Sequence, residues 1–394
     1  MTMQSQNLSS LTTEAKEPLE IVTADGRRER YQFLRLPWSL YSGDPAWIPP
    51  LLIERKLHIS TRNPYYQHAG VQTWIARRAG RPVGRISAQV DQLHLERYDD
   101  ATGFFGLLEA QDDAEVFRAL FAAAEGWLRK QGMRRMRGPF NFSINDECGL
   151  LVEGFDTPPV IMMGHARPYY AERVAEQGYA PVQDLLAYHI RTDFPAPPEL
   201  ERLAARVAPR VKLRPMDRRN FEAELAIIRE IFEDAWSGNW GFIPFADEEF
   251  AALGKNLKLL VPDDYVRIAE VDGKPAAMMV IFPNINEAIR DLNGRLFPLG
   301  WLKFLWRLKV TGLKTGRVPL MGVRQRYQKS RLGGVLALLM ISALQPEVRK
   351  RGMQEAEMSW ILESNTGMRK ILESLGGRPY KRYRLYEKNI PTPS

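Results

Sequence analysis

Val323-Arg324-Gln325-Arg326-Tyr327-Gln328-Lys329-Ser330-Arg331-Leu332-Gly333-Gly334-Val335 joins a strand-like run, RVPLMGVR, to a run with helical spacing, VLALLMISALQPEVRKRG. A glycine pair just ahead of a helix lets the backbone approach a ligand closely. The first helical N–H groups have no partner inside the helix and point outward with the positive end of its dipole. Arg324, Arg326, Lys329 and Arg331 surround the same turn with positive charge. This combination suits a pyrophosphate; the plainer alternative is a packing turn beside a solvated basic face.

Working outward, VKLRPMD reads as a strand and FEAELAIIREIFEDAW as an amphipathic helix. DYVRIAEVDGKPAAMMVIFP reads as a hairpin turning at Asp272-Gly273. Beyond the quoted turn, EAEMSWILES is a strand, TGMRKILESLGG a helix and YKRYRLYEK a last strand. The first half repeats the order: LEIVTAD, then the hairpin VQTWIARRAG/RPVGRISAQVD around Gly80, GFFGLLEA, the helix AEVFRALFAAAEGWLRKQG opened by Asp112-Asp113, MRRMRGPF, the helix RPYYAERVAEQG and the strand APVQDLLAYHIR. Prolines 37, 45, 49 and 50 are expected to limit any helix between Tyr31 and Leu52 to short pieces. The expected architecture is a tandem duplication of one α/β domain with a mixed sheet. Its parts are a polar tail over 1–18, an N-terminal domain over 19–192, a proline-rich joint over 193–210 and a C-terminal domain over 211–390.

The chain carries 55 Lys+Arg against 47 Asp+Glu, a formal +8. The excess is local: residues 295–394 hold 20 basic and 6 acidic residues, so the first 294 are net acidic. Such asymmetry calls for an anionic partner of the last quarter: nucleic acid, an anionic membrane face or a phosphate-rich small molecule. A single cysteine, Cys148, excludes an intramolecular disulfide and cysteine-rich metal sites, and with five histidines and no HExxH no metal is expected. No apolar run is read as a transmembrane helix and no signal peptide is seen, so a cytoplasmic protein is expected.

In this setting the quoted stretch resembles the acyl-CoA-binding signature of the GNAT (Gcn5-related N-acyltransferase) superfamily, Q/R-x-x-G-x-G/A after the fourth strand. Gln328 takes the first position and Gly333 the last, with Arg331 where the middle glycine is usual. MSWILESNTGMRKILESLGGRPYKRYRLYEK resembles the family's fifth strand, following helix and last strands, with Asn365 opening the helix. The resemblance covers about 210–388 well and 19–192 by element order. It implies two tandem GNAT-like domains, strands four and five splaying around the pantetheine arm of acyl-CoA, and a donor site at Val323, Gln328, Lys329, Arg331, Leu332, Gly333, Gly334 and Asn365. Acyl-CoA is then a co-substrate, with no permanently bound cofactor. Gly333→Glu is expected to abolish CoA binding with the fold intact. In the first block the equivalent turn, Leu108-Glu109-Ala110-Gln111-Asp112-Asp113, is acidic and lacks glycine, so this half is assigned to the acceptor.

The first block's distinctive segment, GPFNFSINDECGLLVEGFDTPP, resembles a bacterial tandem GNAT-like branch that includes the bacterial ceramide synthases. Asn141, Ser143, Asn145, Tyr169 and Tyr170 are candidate substrate contacts, against the alternative that such residues only build turns. Acylating an amine requires a base, and Glu357 is the first choice, with Asp146, Glu147 and His165 as rivals. The superfamily's usual thiolate-protonating tyrosine falls at Leu372, which leaves Tyr380, Tyr383 or a residue from the first block to replace it, or no need of one. Cys148 as a nucleophile has no basic partner visible nearby.

Residues 296–314, LFPLGWLKFLWRLKVTGLK, mix Trp, Leu and Phe with Lys303, Arg307, Lys309 and Lys314. They read either as an interfacial helix on an anionic membrane or as a segment whose Trp301, Leu305 and Leu308 pack on the domain. The expected function is acylation of a lipidic amine, a sphingoid base by the resemblance, beside the inner face of the cytoplasmic membrane. The rivals are acylation of a small polar amine and, against the absence of any DNA-binding helix motif, nucleic-acid binding.

Overall fold

The structure, a computed structural model, describes residues 17–195 and 198–391, so most of the expected tail over 1–18 lies outside the described residues. The first half contains β1 (Leu19–Thr23), α1 (Arg27–Leu40), α2 (Leu52–His58), β2 (Ala69–Arg78), β3 (Arg81–Asp91), α3 (Gln92–Tyr98), β4 (Thr102–Ala110), α4 (Ala114–Lys130), β5 (Arg135–Gly138), the short β6 (Phe140–Asn141), β7 (Glu147–Cys148) and β8 (Leu150–Glu153), α5 (Tyr170–Glu176) and β9 (Ala180–Arg191). After α6 (Pro198–Val207) the second half runs β10 (Val211–Pro215), α7 (Phe221–Trp236), α8 (Asp247–Leu260), β11 (Val266–Val271), β12 (Lys274–Pro283), α9 (Ile285–Ile289), α10 (Gly300–Trp306), β13 (Thr315–Val323), α11 (Gln325–Gln328), α12 (Arg331–Lys350), β14 (Glu355–Leu362), α13 (Thr366–Ser374) and β15 (Arg378–Asn389).

Both hairpins turn where the sequence places them: Ala79-Gly80 and Asp272-Gly273 each take two successive positive φ values, the twist that matches paired strands. Three expectations need correction. Proline 37 does not stop α1, because the carbonyl it leaves without an amide partner, that of Phe33, accepts a 2.7 Å bond from the buried Arg85 guanidinium. The joint over 193–210 is not simply a linker, since α6 occupies Pro198–Val207 with its proline at the first helical position. The α12 helix is long and apolar enough to cross a membrane, contrary to the reading of the bare sequence. Leu336, Met340, Ile341, Leu344 and Val348 nevertheless join it to the second hydrophobic core, as in the core helix of a packed domain.

The two halves share one sheet, in the order β1-β2-β3-β4-β5-β15-β9-β14-β13-β12-β11-β10. Their last strands are exchanged: β15 lies beside β5 (Tyr386 opposite Gly138), β9 beside β14 (Glu357 opposite His189), and β9 and β15 pair with each other at the centre. The exchange leaves no exposed strand edge at the junction. Buried polar contacts follow the crossover: Lys388 of β15 reaches Glu125 of α4 at 2.8 Å.

A second clasp joins the halves through His68. Its Nδ1 lies 3.0 Å from Asp91 and its Nε2 3.3 Å from Glu249 of α8. Burial pulls the imidazole pKa down, but bonding to the two carboxylates outweighs it and pushes the pKa up to about 9. A raised folded pKa means that the stabilisation is complete below the unfolded value of about 6.5 and is lost as pH rises through 9. His68→Gln is therefore expected to cost about 1–2 kcal/mol at pH 6, allowing for solvent screening, and little at pH 9.5. Melting temperatures across that range measure it; a pH-independent difference would remove the clasp.

Candidate active site

The strands β13 and β14 run parallel for four residue pairs, Thr315 to Val318 opposite Glu355 to Met358. They then part, β13 continuing along β12 and β14 continuing along β9. A cavity of about 130 Å³ lies in the gap, with Val318, Pro319 and Met321 on one wall and Met358, Ser359 and Trp360 on the other. Asn365 and Met368 of the α13 turn and Ile144, Asn145 and Cys148 of the first half complete it, so both halves build the cavity.

The equivalent gap in the first half is filled by the chain itself. After Phe104 opposite Arg137, β4 and β5 part, and the Asn141 side chain accepts the Leu107 amide at 2.6 Å. A Cβ on Gly106 would fall 1.7 Å from the Phe140 carbonyl oxygen, so glycine is required for this close approach. Gln89 holds the same loop through the carbonyls of Phe140 and Phe142.

Beneath the open cavity lies a buried polar cluster. Glu357 accepts from Ser359 Oγ and from the Tyr380 hydroxyl. Arg317, fully buried, lies 3.9 Å from Glu357, donates to Ser359 Oγ at 2.9 Å and to the Ile161 and Met162 carbonyls, and covers the Trp360 ring. Ser359 is thus the polar link between the cavity and Glu357. With its proton given to Glu357 and one lone pair taken by Arg317, its second lone pair is free to accept from a substrate N–H. Burial lifts the Tyr380 and Tyr383 hydroxyls far above the ordinary phenol range, and the carboxylate of Glu357 adds to it, so neither is poised as a proton donor to a thiolate. Lys381 donates to the Gly154 and Thr157 carbonyls, and burial lowers its pKa to about 8.

The other candidates fall in several places. Asn145 reaches the cavity, its amide anchored on the Ile243 carbonyl. Asn141 plugs the first gap, Ser143 caps the Asn145 amide, and Tyr169 and Tyr170 bond to the Ala110 carbonyl and to Glu109 within the first half. These four are not brought to the cavity. Glu147 is half-buried beside Arg55, which holds its carboxyl below the usual range against the effect of desolvation, and it bonds Asn141 as well. Asp146 is pushed up to about 7 by burial and by the Glu249 charge. His165 bonds Asp44 at 3.1 Å and does not line the cavity; burial lowers its pKa. Tyr383 gives its hydroxyl to the Gly164 carbonyl. Leu372 is fully buried, and Cys148 is buried with its thiol pKa raised, against a role as nucleophile.

At the turn before α12, Gln328 bonds the Val323 and Ala235 carbonyls, and so holds the turn. Arg324 is spent on the Pro275 carbonyl and Glu230. Lys329 and Arg331 are exposed, and among the described residues no carboxylate lies within ion-pair distance of either. Leu332 packs on the core, and Asn365 caps α13 by accepting the Met368 amide. Gly333 is not the free probe expected from sequence: a Cβ there would lie 2.4 Å from the Tyr327 carbonyl oxygen, so Gly333→Glu would disturb the turn itself. Gly334 faces open space and is the site to substitute. Sequence reasoning missed Ser359 and Arg317, whose only signal was a serine and an arginine within strands.

Parallel strands that part over an apolar cavity, the first leading through a glycine turn into a long helix, are the architecture of the GNAT acyltransferases, here in tandem. A tandem GNAT protein from the clavulanic acid biosynthesis pathway superposes with a TM-score of 0.56 at 16% identity, over 96% of this chain and 100% of that one. A GCN5-related N-acetyltransferase from Sphaerobacter thermophilus gives 0.52 at 15% identity, over 95% and 96%. In sequence the chain is 55% identical to Protein YghO of Escherichia coli (strain K12), over 91% of this chain and 92% of that protein. It is 45% identical to the bacterial ceramide synthase of Caulobacter vibrioides, over 94% and 98%. No protein-family model matches the chain. The chain belongs to the same family as these two relatives and has the tandem GNAT fold of those structures.

Proposed function

We propose that the protein transfers a fatty acyl group from acyl-CoA to the amine of a sphingoid base, as a bacterial ceramide synthase does. The observation that carries the reading is the cavity between β13 and β14, with Ser359 at its wall and Glu357 behind it. The pantetheine arm would enter this gap, with its pyrophosphate at the α12 N-terminus beside Lys329 and Arg331. The closed gap in the first half supports a single donor site, in the second half. The amine gives its proton to Glu357 by way of Ser359 Oγ, the nitrogen attacks the thioester carbon, and the C–S bond breaks to release CoA with that proton. Holding the reactants together supplies much of the remaining acceleration. The apolar cavity lining supports a lipidic rather than a small polar acceptor, and peripheral contact of residues 296–314 with the inner face of the cytoplasmic membrane belongs to the same reading.

The test is CoA release from acyl-CoAs of several chain lengths, with a sphingoid amine or a polar amino acid as acceptor. Release is expected with the long-chain amine only; its absence with every long-chain amine would sink the reading. Gly334→Glu is expected to weaken CoA binding at least about tenfold by opposing the pyrophosphate. Unchanged affinity would place the donor elsewhere.

A further inference from the structure

Residues 297–310 are largely unpacked. Phe297 and Leu299 are 69% and 68% exposed, Trp306 and Val310 62% and 61%, and Trp301, Leu302 and Leu305 are each at least 40% exposed. Few folded monomers leave so much contiguous apolar surface without a partner. The alternative in which Trp301 and Leu305 pack on the domain fails; Leu308 alone of the three is half-buried. Lys303 and Arg307 are not available to a membrane as the sequence suggested, because both are tied to Asp291. This pairing fastens one side of α10 to the protein and leaves the apolar side outward.

At the root of this segment a groove of about 890 Å³ runs between the end of α8, the wide turn Arg307–Thr311 and the end of α12. Its two acids are matched, Asp263 by Arg218 and Asp264 by Arg351. Lys258, Lys309 and Lys350 also line it, and among the described residues none of the three has a carboxylate within ion-pair distance. The exposed Leu259 and Val310 stand in the same lining. Lys350 ends the 20-residue α12 that the donor turn begins, which separates groove and turn by about 30 Å. The groove is therefore separate from the CoA pyrophosphate site.

We propose that the protein docks on an anionic bilayer through residues 297–310, and that this groove receives the phosphate headgroup of an anionic phospholipid. Apolar side chains enter the interface while Lys258, Lys309 and Lys350 supply the complementary charge. The segment leads into β13 two residues before Arg317, so docking sets the buried Glu357 cluster close to the source of a lipidic acceptor. That consequence rests on the acyltransferase reading; the binding does not.

Vesicle co-sedimentation of the full chain, without acyl-CoA or amine, tests it. Binding to phosphatidylcholine vesicles carrying 30% phosphatidylglycerol is expected to exceed binding to phosphatidylcholine alone at least about tenfold and to fall with salt. Lys309→Glu/Lys350→Glu should lose most of that preference, and Phe297→Glu/Trp306→Glu most of the binding, both with melting temperatures unchanged. Soluble glycerol phosphate should not compete at millimolar concentration. Equal binding to both vesicles, an unaffected lysine variant, competition by glycerol phosphate, or self-association through this face in place of vesicle binding would each overturn the proposal. Because no turnover is measured, failure here is separable from failure of the acyltransferase reading.

Discussion

Glu357→Gln is expected to lower kcat/KM for amine acylation by about 10²–10⁴-fold, the usual contribution of a positioned base. Ser359→Ala should produce a loss of the same kind, because among the described residues it removes the polar side chain that both lines the cavity and bonds Glu357. In the Glu357 variant acyl-CoA affinity should change little, since that side chain lies behind the cavity and outside the turn before α12. A glutamine variant that kept a third of its activity would transfer the role of base to another group.

The second large effect concerns stability. Arg317→Met should destabilise the protein by about 3–5 kcal/mol, because it leaves the Glu357 carboxylate buried without its counter-charge. Glu357→Leu should cost a similar amount by orphaning the guanidinium. The double variant should be more stable than the sum of the two losses predicts, since removing both partners removes the uncompensated charge. Denaturation midpoints of the three proteins close the cycle. Additive losses would show that the ion pair is not a unit and that packing against Trp360 accounts for the burial of Arg317.

The legible parts of the fold were those carried by neighbours in sequence. The hairpins at Gly80 and Asp272-Gly273 and the helix opened by Asp113 each depend on local backbone conformation or capping, whereas Gly333 and Gly334, read as lying just ahead of a helix, fall inside the first turn of α12. Where a local rule misled, a distant group had intervened: Arg85 satisfies the Phe33 carbonyl that Pro37 leaves open, 52 residues away. Glu357 was legible as a carboxylate on the strand EAEMSW. Its company was not, because Arg317, Ser359 and Tyr380 come together only when β13, β14 and β15 are placed. Asn141 shows the converse, since a loop that reads as a polar substrate site is a plug made by bonding to Leu107.

The amino-acid sequence alone determined the order of the main strands, its repeat in the two halves, the basic turn after RVPLMGVR and the amphipathic composition of 296–314, all properties of adjacent residues and their periodicity. Tertiary structure decided the rest. It settled which of two similar strand gaps stays open, exchanged β9 and β15 between halves, tied Lys303 and Arg307 to Asp291 while leaving the neighbouring tryptophans exposed, and joined Glu357 to the cavity through Ser359. The physical reason is that local runs set backbone conformation, whereas burial and hydrogen-bond pairing depend on groups as far apart as Arg317 and Ile161, 156 residues along the chain.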